Sequence, residues 1–138
     1  MTRKFTIGKN ERLKSRKLIE QLFIEGRSFN VLPFRVLFKL INTTEKNFDG
    51  PLQFGVAVGA KNFKKAVQRN RIKRLIREAY RLQKLSLQEK LIVKKQNLVL
   101  FFIYTSKELP EYQLVKEKVN LILERLIKLI DENNSSDS

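Results

Sequence analysis

The chain has 138 residues, enough for one hydrophobic core and too few for two independent ones. Its 29 Lys and Arg against 14 Asp and Glu give a net charge of +15 and a pI near 10.3, so the expected partner is a polyanion. With no Cys and no His, disulfides, thiolate nucleophiles, the usual zinc sites and imidazole acid–base chemistry are all excluded.

Residues 1–14 carry Arg3, Lys4, Lys9, Arg12 and Lys14 with little periodicity and read as a basic arm. They contain no apolar stretch of the signal-peptide kind, and the longest apolar run, 98–104, is far short of a membrane span. A cytoplasmic protein that needs no membrane is the expectation. Ser15 is an N-cap for a helix through Glu25, with Gly26 at its end and Leu18, Ile19, Leu22 and Phe23 as its apolar stripe.

Residues 28–41 switch to a period of two: Phe34, Val36, Phe38 and Leu40 on one face, Arg35, Leu37 and Lys39 on the other. Pro33 has no N–H, so this strand starts after it or has an edge or bulge there. The turn-rich segment 42–51 is expected to be a hairpin loop leading to a second strand, 52–60. There Phe54, Val56 and Val58 alternate with Gly55, Ala57 and Gly59, so that something approaches closely on the small side. A packed helix is the plainer candidate and an RNA backbone the other.

The stretch 61–84, KNFKKAVQRNRIKRLIREAYRLQK, is where charge and periodicity coincide. At helical spacing Ile72, Leu75, Ile76, Ala79, Tyr80 and Leu82 share an arc of roughly 160°. Arg69, Asn70, Lys73, Arg74, Arg77 and Arg81 share the other side, with Lys61, Lys64, Lys65 and Arg71 adding to the charge and Glu78 the only acid. Like charges at i,i+4 destabilise an isolated helix by a few tenths of a kcal/mol per pair, whereas a merely soluble helix alternates signs. The ridge therefore points to nucleic acid, with an anionic membrane surface as the lesser reading. The helix ends near Lys84 and continues or restarts through Lys95.

Residues 97–104, NLVLFFIY, are almost wholly apolar and belong mid-sheet, covered on both faces. Pro110 opens a last helix with Val115, Val119, Ile122, Leu126 and Leu129 at helical spacing. The expected architecture is α+β, an α/β sandwich of a small mixed sheet and three helices, with a further short strand hidden in the loops. It forms a single domain over residues 1–132, followed by a disordered polar tail, 133–138. No two of the 14 acids form an obvious facing pair, so no catalytic or metal-binding residue is assigned to the protein.

Phe63 and Ala66, then Arg69-Asn70-Arg71-Ile72-Lys73-Arg74, then Ile76-Arg77-Glu78, resemble the RNR signature of the protein subunit of bacterial ribonuclease P. The resemblance implies a left-handed βαβ crossover in which the basic helix is the connection. It also implies a ribonuclease P holoenzyme, an endonuclease that removes the 5′ leader of precursor tRNA, with the catalytic centre and its Mg²⁺ in the RNA subunit and no cofactor on the protein. The implied partners are that RNA and precursor tRNA, with no protein partner required.

Docking of RNA then falls to Lys61, Lys64, Lys65, Arg69, Asn70, Arg71, Lys73, Arg74, Arg77 and Arg81. Ile19, Phe23 and Phe38 are the implied lining of a leader cleft between the first helix and the sheet, although plain core packing is the stronger reading for Phe38. Two positions depart from the family pattern: Ala60-Lys61 where two basic residues are usual, and Ile19 where a ring is usual. A ribosomal RNA-binding protein or a small nuclease would share the charge and size.

Overall fold

An apolar run such as 97–104 has to be covered on both faces, and the sheet is built around it. The computed structural model of the chain describes residues 12–13, 15–41 and 51–136, the last four as backbone only. Its elements are α1 (Arg16–Glu25), β1 (Arg27–Val31), β2 (Phe34–Ile41), β3 (Leu52–Val58), α2 (Ala66–Gln83), α3 (Leu85–Lys94), β4 (Asn97–Tyr104) and α4 (Tyr112–Ser136). The strand order is β1-β2-β4-β3, with β3 parallel to β4 and the other pairs antiparallel. Helices α2 and α3 connect the parallel pair, which is the crossover position that the family resemblance implies for the basic helix.

Strand parity divides the molecule. Phe34, Val36 and Phe38 of β2, Phe54 of β3 and Phe102 of β4 lie on the face covered by α2 and α4, in the larger core cluster. Here Phe54 stacks flat on Tyr80 at 3.8 Å and meets Phe102 edge-on at 4.9 Å. Burying each such ring is worth about 1.5–3 kcal/mol. Leu37, Ile41, Val99 and Phe101 point the other way and form a smaller cluster with Leu13 and with Leu22 of α1.

Several expectations from the sequence are corrected. Residues 28–41 are not one strand: β2 starts directly after Pro33, one of the two readings of that proline, and the further short strand is β1, joined to it as an antiparallel hairpin by a turn at Leu32 and a cis Pro33. The Thr105 N–H donates to the Pro33 carbonyl at 2.8 Å, which ties that turn to the end of β4. The segment between β2 and β3, of which 42–50 lie outside the described residues, does not join neighbouring strands. The more apolar β4 takes the place between them.

The strand expected to reach Ala60 stops at Val58, because Gly59 and Ala60 enter a turn closed by the Phe63 N–H on the Gly59 carbonyl. Among the described residues there are four helices instead of three, since α2 ends and α3 restarts at Lys84, which is only 1% exposed. Lys84 belongs to the helix junction and not to the cationic surface. Helix α4 continues to Ser136, past the expected boundary at 132; residues 137–138, like 1–11 and 14 of the arm, lie outside the described residues.

Ser15 caps α1 as expected, its Oγ accepting from the Leu18 N–H at 3.2 Å. Gly26, however, is extended (φ −70°, ψ 160°) and not left-handed. A side chain is barred there by space, because a Cβ would sit 2.3 Å from the Leu22 carbonyl oxygen.

Candidate nucleic-acid interface

The basic helix is fixed to the core by Ile72, Ile76, Ala79 and Tyr80, all buried. Leu75 is half-buried, and Leu82, expected on the same arc, is 43% exposed because it falls at the margin of the stripe in the last turn. The opposite side leaves Asn70, Arg71, Arg74 and Arg77 exposed and Lys73 half-buried. Lys61, Lys64 and Lys65 are exposed in the turn that leads into the helix.

Two members of the predicted ridge have other attachments. Arg69 turns back on the chain, and its Nη1 donates to the carbonyl oxygens of Phe63 at 2.7 Å and Lys64 at 2.9 Å. It therefore holds the entry turn, where Lys65 at the N-cap makes no side-chain bond of its own. Arg81 forms a two-pronged pair with Glu78, at 2.8 Å from Nε and 2.7 Å from Nη2. The pair offsets the outward charge at the C-terminal end of the ridge.

Arg77 links the ridge to the second face of the sheet. Together with Arg12, Leu13, Ile19, Gly55 and Phe101 it lines a groove of about 420 Å³. Its pKa is lowered, first by burial and then by the positive charge of Arg12. Both effects disfavour the charged guanidinium, and an anion placed beside the pair would offset them.

The groove floor shows why β3 alternates small residues. A Cβ on Gly55 would lie 2.7 Å from Cδ1 of Phe101 and 3.4 Å from Cβ of Leu13. The close approach is made by a ring from the adjacent strand and by the arm, whose Leu13 N–H donates to the Phe54 carbonyl at 2.9 Å beside an Arg12–Phe54 bridge. At Gly55 the nearest protein neighbours are thus a ring and the arm and not the expected helix.

Phe23 sits above this floor, 54% exposed, with its ring edge-on to Phe101 at 5.8 Å. Ile19, one turn earlier, is half-buried in the groove lining. Phe38 is not with them. It is 6% exposed on the opposite face, near the Phe29 ring at 5.7 Å and beneath the Arg27 guanidinium at 5.4 Å. The predicted trio of Ile19, Phe23 and Phe38 is therefore divided by the sheet, because Phe38 shares its parity with Val36 and Phe34. Phe101 takes its place, a residue that the alternation of β4 could have nominated had 97–104 been divided by face.

Among the described residues no group of three or more Asp, Glu, His or Cys side chains comes together, and no helix is long and apolar enough to cross a membrane. The arrangement offers cations, apolar surface and an exposed ring in sequence around one edge of the sheet. It is suited to binding a single-stranded polyanion, bases inward and phosphates outward.

Comparison with known proteins agrees in family and fold. The family model described as Ribonuclease P matches residues 7–126. A curated relative from Porphyromonas gingivalis, "Ribonuclease P protein component", is 38% identical over 122 residues, covering 88% of this chain and 87% of the relative. The solved RNase P protein from Thermotoga maritima superimposes with a TM-score of 0.63 at 29% identity, over 83% of this chain and 96% of that one. The Staphylococcus aureus RNase P protein, at 21% identity, shares the fold with a TM-score of 0.61 over 84% of this chain and 94% of its own.

Proposed function

Since the chain belongs to the ribonuclease P protein family, we propose that it is the RNA-binding subunit of ribonuclease P. In this role it assists a catalytic RNA in removing the 5′ leader of precursor tRNA. The observation that carries the reading is the continuity of charge from α2 through Arg77 into the groove beside α1. One RNA docks on the ridge while a single strand enters the groove.

In this reading Asn70, Arg71, Lys73 and Arg74 contact the RNA subunit, chiefly through phosphates. Lys61, Lys64 and Lys65 extend that contact along the entry turn. Arg69 acts mainly by holding the turn in place. The leader lies between Phe23 and the sheet, its bases against Phe23, Ile19 and Phe101, its backbone near Arg12 and Arg77. The Mg²⁺ needed for hydrolysis is held by the RNA subunit, the protein supplies no cofactor, and the complex works in the cytoplasm without another protein partner.

The test is cleavage of labelled precursor tRNA by the protein alone, by a bacterial ribonuclease P RNA alone at low Mg²⁺, and by the two together. The expected result is correct 5′ cleavage only in the combined sample. Cleavage by RNA-free protein, or no gain on adding the protein together with selective binding to ribosomal RNA, would overturn the proposal.

A further inference from the structure

Lys84, between α2 and α3, is itself helical (φ −74°, ψ −18°), so the solvent side of α2 carries over into α3. Leu82, Leu85, Glu89, Ile92 and Val93 follow one another along that side at helical spacing. Ile92 is 62% and Val93 75% exposed, Leu82 is exposed and Leu85 half-buried. The lysines of α3 do not share this side, because Lys90 and Lys94 reach to Asp131 of α4, at 3.0 Å and 3.7 Å. The result is an open apolar stripe with one acid and no base, on a chain of net charge +15.

Such a stripe gives phosphates no cation to pair with and is unsuited to RNA. A second copy of the chain suits it poorly. Both copies would carry +15, and one face of a ten-residue helix falls well short of the roughly 800 Å² per partner of a stable interface.

The N-terminal arm of the same chain approaches from the right direction. β3 is an edge strand, and Arg12 bridges Phe54 in parallel, with the Leu13 N–H on the Phe54 carbonyl. Followed backwards from Arg12, a parallel neighbour of β3 heads for Leu52, which stands opposite Leu98, four residues beyond the end of α3. The arm thus comes to β3 from the end of the sheet where α3 lies. From Arg12 to Phe5 an extended chain spans about 23 Å, far past Leu52. Phe5 and Ile7 are two residues apart and share one side of an extended segment, with Arg3, Lys4 and Lys9 around them.

We propose that the N-terminal arm docks on this stripe, Phe5 and Ile7 covering Leu82, Leu85, Ile92 and Val93, with the bases of the arm beside Glu89. Docked there, Arg3, Lys4 and Lys9 carry the cationic surface past the end of α2, where Glu78 offsets Arg81. The docking is a property of the free chain and does not depend on its role in ribonuclease P.

The chain has no cysteine, so one engineered pair reports the contact without competition. Full-length Ile7→Cys/Val93→Cys is oxidised mildly at submicromolar concentration. The control is Ile7→Cys/Val67→Cys, whose second site is 78% exposed at the opposite end of α2. Each rate is divided by the reactivity of the same thiols toward a small disulfide. The 7/93 pair should close within one chain at least about tenfold faster than the 7/67 pair, although 67 is nearer to 7 in sequence. Phe5→Ser added to the first variant should remove most of that advantage. Equal rates for the two pairs overturn the proposal, since the arm then has no preferred seat. A bond between position 93 of two chains that outpaces the one within a chain overturns it in favour of a second copy. An advantage untouched by Phe5→Ser overturns it as well, because nearness and not docking then brings the thiols together. Unfolding curves of the reduced variants check that each is folded, and Ile92→Cys replaces Val93→Cys if the latter is not.

Discussion

Phe38 and Phe23 are the same residue type on opposite faces of one sheet, and their surroundings show how the two faces differ. Phe38 is enclosed among rings and beneath α4, on a face where aromatic side chains meet each other at close, varied angles. Phe23 touches one ring, Phe101, and leaves more than half of its surface to solvent. The closed face is large enough to supply most of the stability. The α1 face is thereby free to remain partly open, and an open apolar floor with cations at its rim is what a binding groove requires.

Removing a ring from the closed face should have the largest effect. Phe102→Ala, at a fully buried position touching Phe34 and Phe54, should cost about 3–5 kcal/mol in denaturant unfolding. A loss under about 1 kcal/mol would show that the closed face is not the main store of stability. On the open face, Gly55→Ala forces a Cβ against the Phe101 ring and should cost about 1–3 kcal/mol by the same measurement. It should also disturb leader binding, because the ring that must move is the floor of the groove. An unchanged midpoint would mean that Phe101 shifts without resistance.

The cationic side responds in salt dependence more than in stability. Arg74→Ala should leave the melting curve nearly unchanged and reduce the slope of log K against log salt for the RNA subunit by about 0.7–0.9. Equal slopes would place Arg74 outside the contact. The smallest effect is expected for Glu78→Gln: stability should change by less than about 1 kcal/mol, since the pair is half-exposed. Loss of the carboxylate charge beside Arg81 should then steepen the salt slope by up to about one phosphate contact. A flatter slope would show that the pair holds the ridge in its binding form.

Much of this was readable from residue patterns. The basic helix, the central position of 97–104 and the Ser15 cap follow from local periodicity and side-chain chemistry, and all three stand in the structure. Long-range pairing was less accessible. Nothing local in β2 or β3 shows that β4 will separate them, and a proline read as a strand start, which it is, does not show that β1 pairs back on that strand across it.

The site shows the same limit. Exposed charge on one helix was visible, but the Arg69 bond to the entry turn and the Arg77–Arg12 proximity depend on where distant segments come to rest. Phe38 and Phe101 changed roles for a related reason. Parity assigns a residue to a face, but only the fold shows which face is closed.

The most direct test compares Phe23→Ala with Phe38→Ala in reconstituted holoenzyme, measuring the affinity ratio for long-leader and one-nucleotide-leader precursor tRNA beside each variant's unfolding curve. Phe23→Ala should lose about 1–3 kcal/mol of long-leader binding with stability nearly intact. Phe38→Ala should lose about 3–5 kcal/mol of stability while the folded fraction keeps the natural leader ratio. An unchanged ratio in Phe23→Ala, or a ratio lost in folded Phe38→Ala, would contradict the division of the two faces into a closed store of stability and an open leader groove.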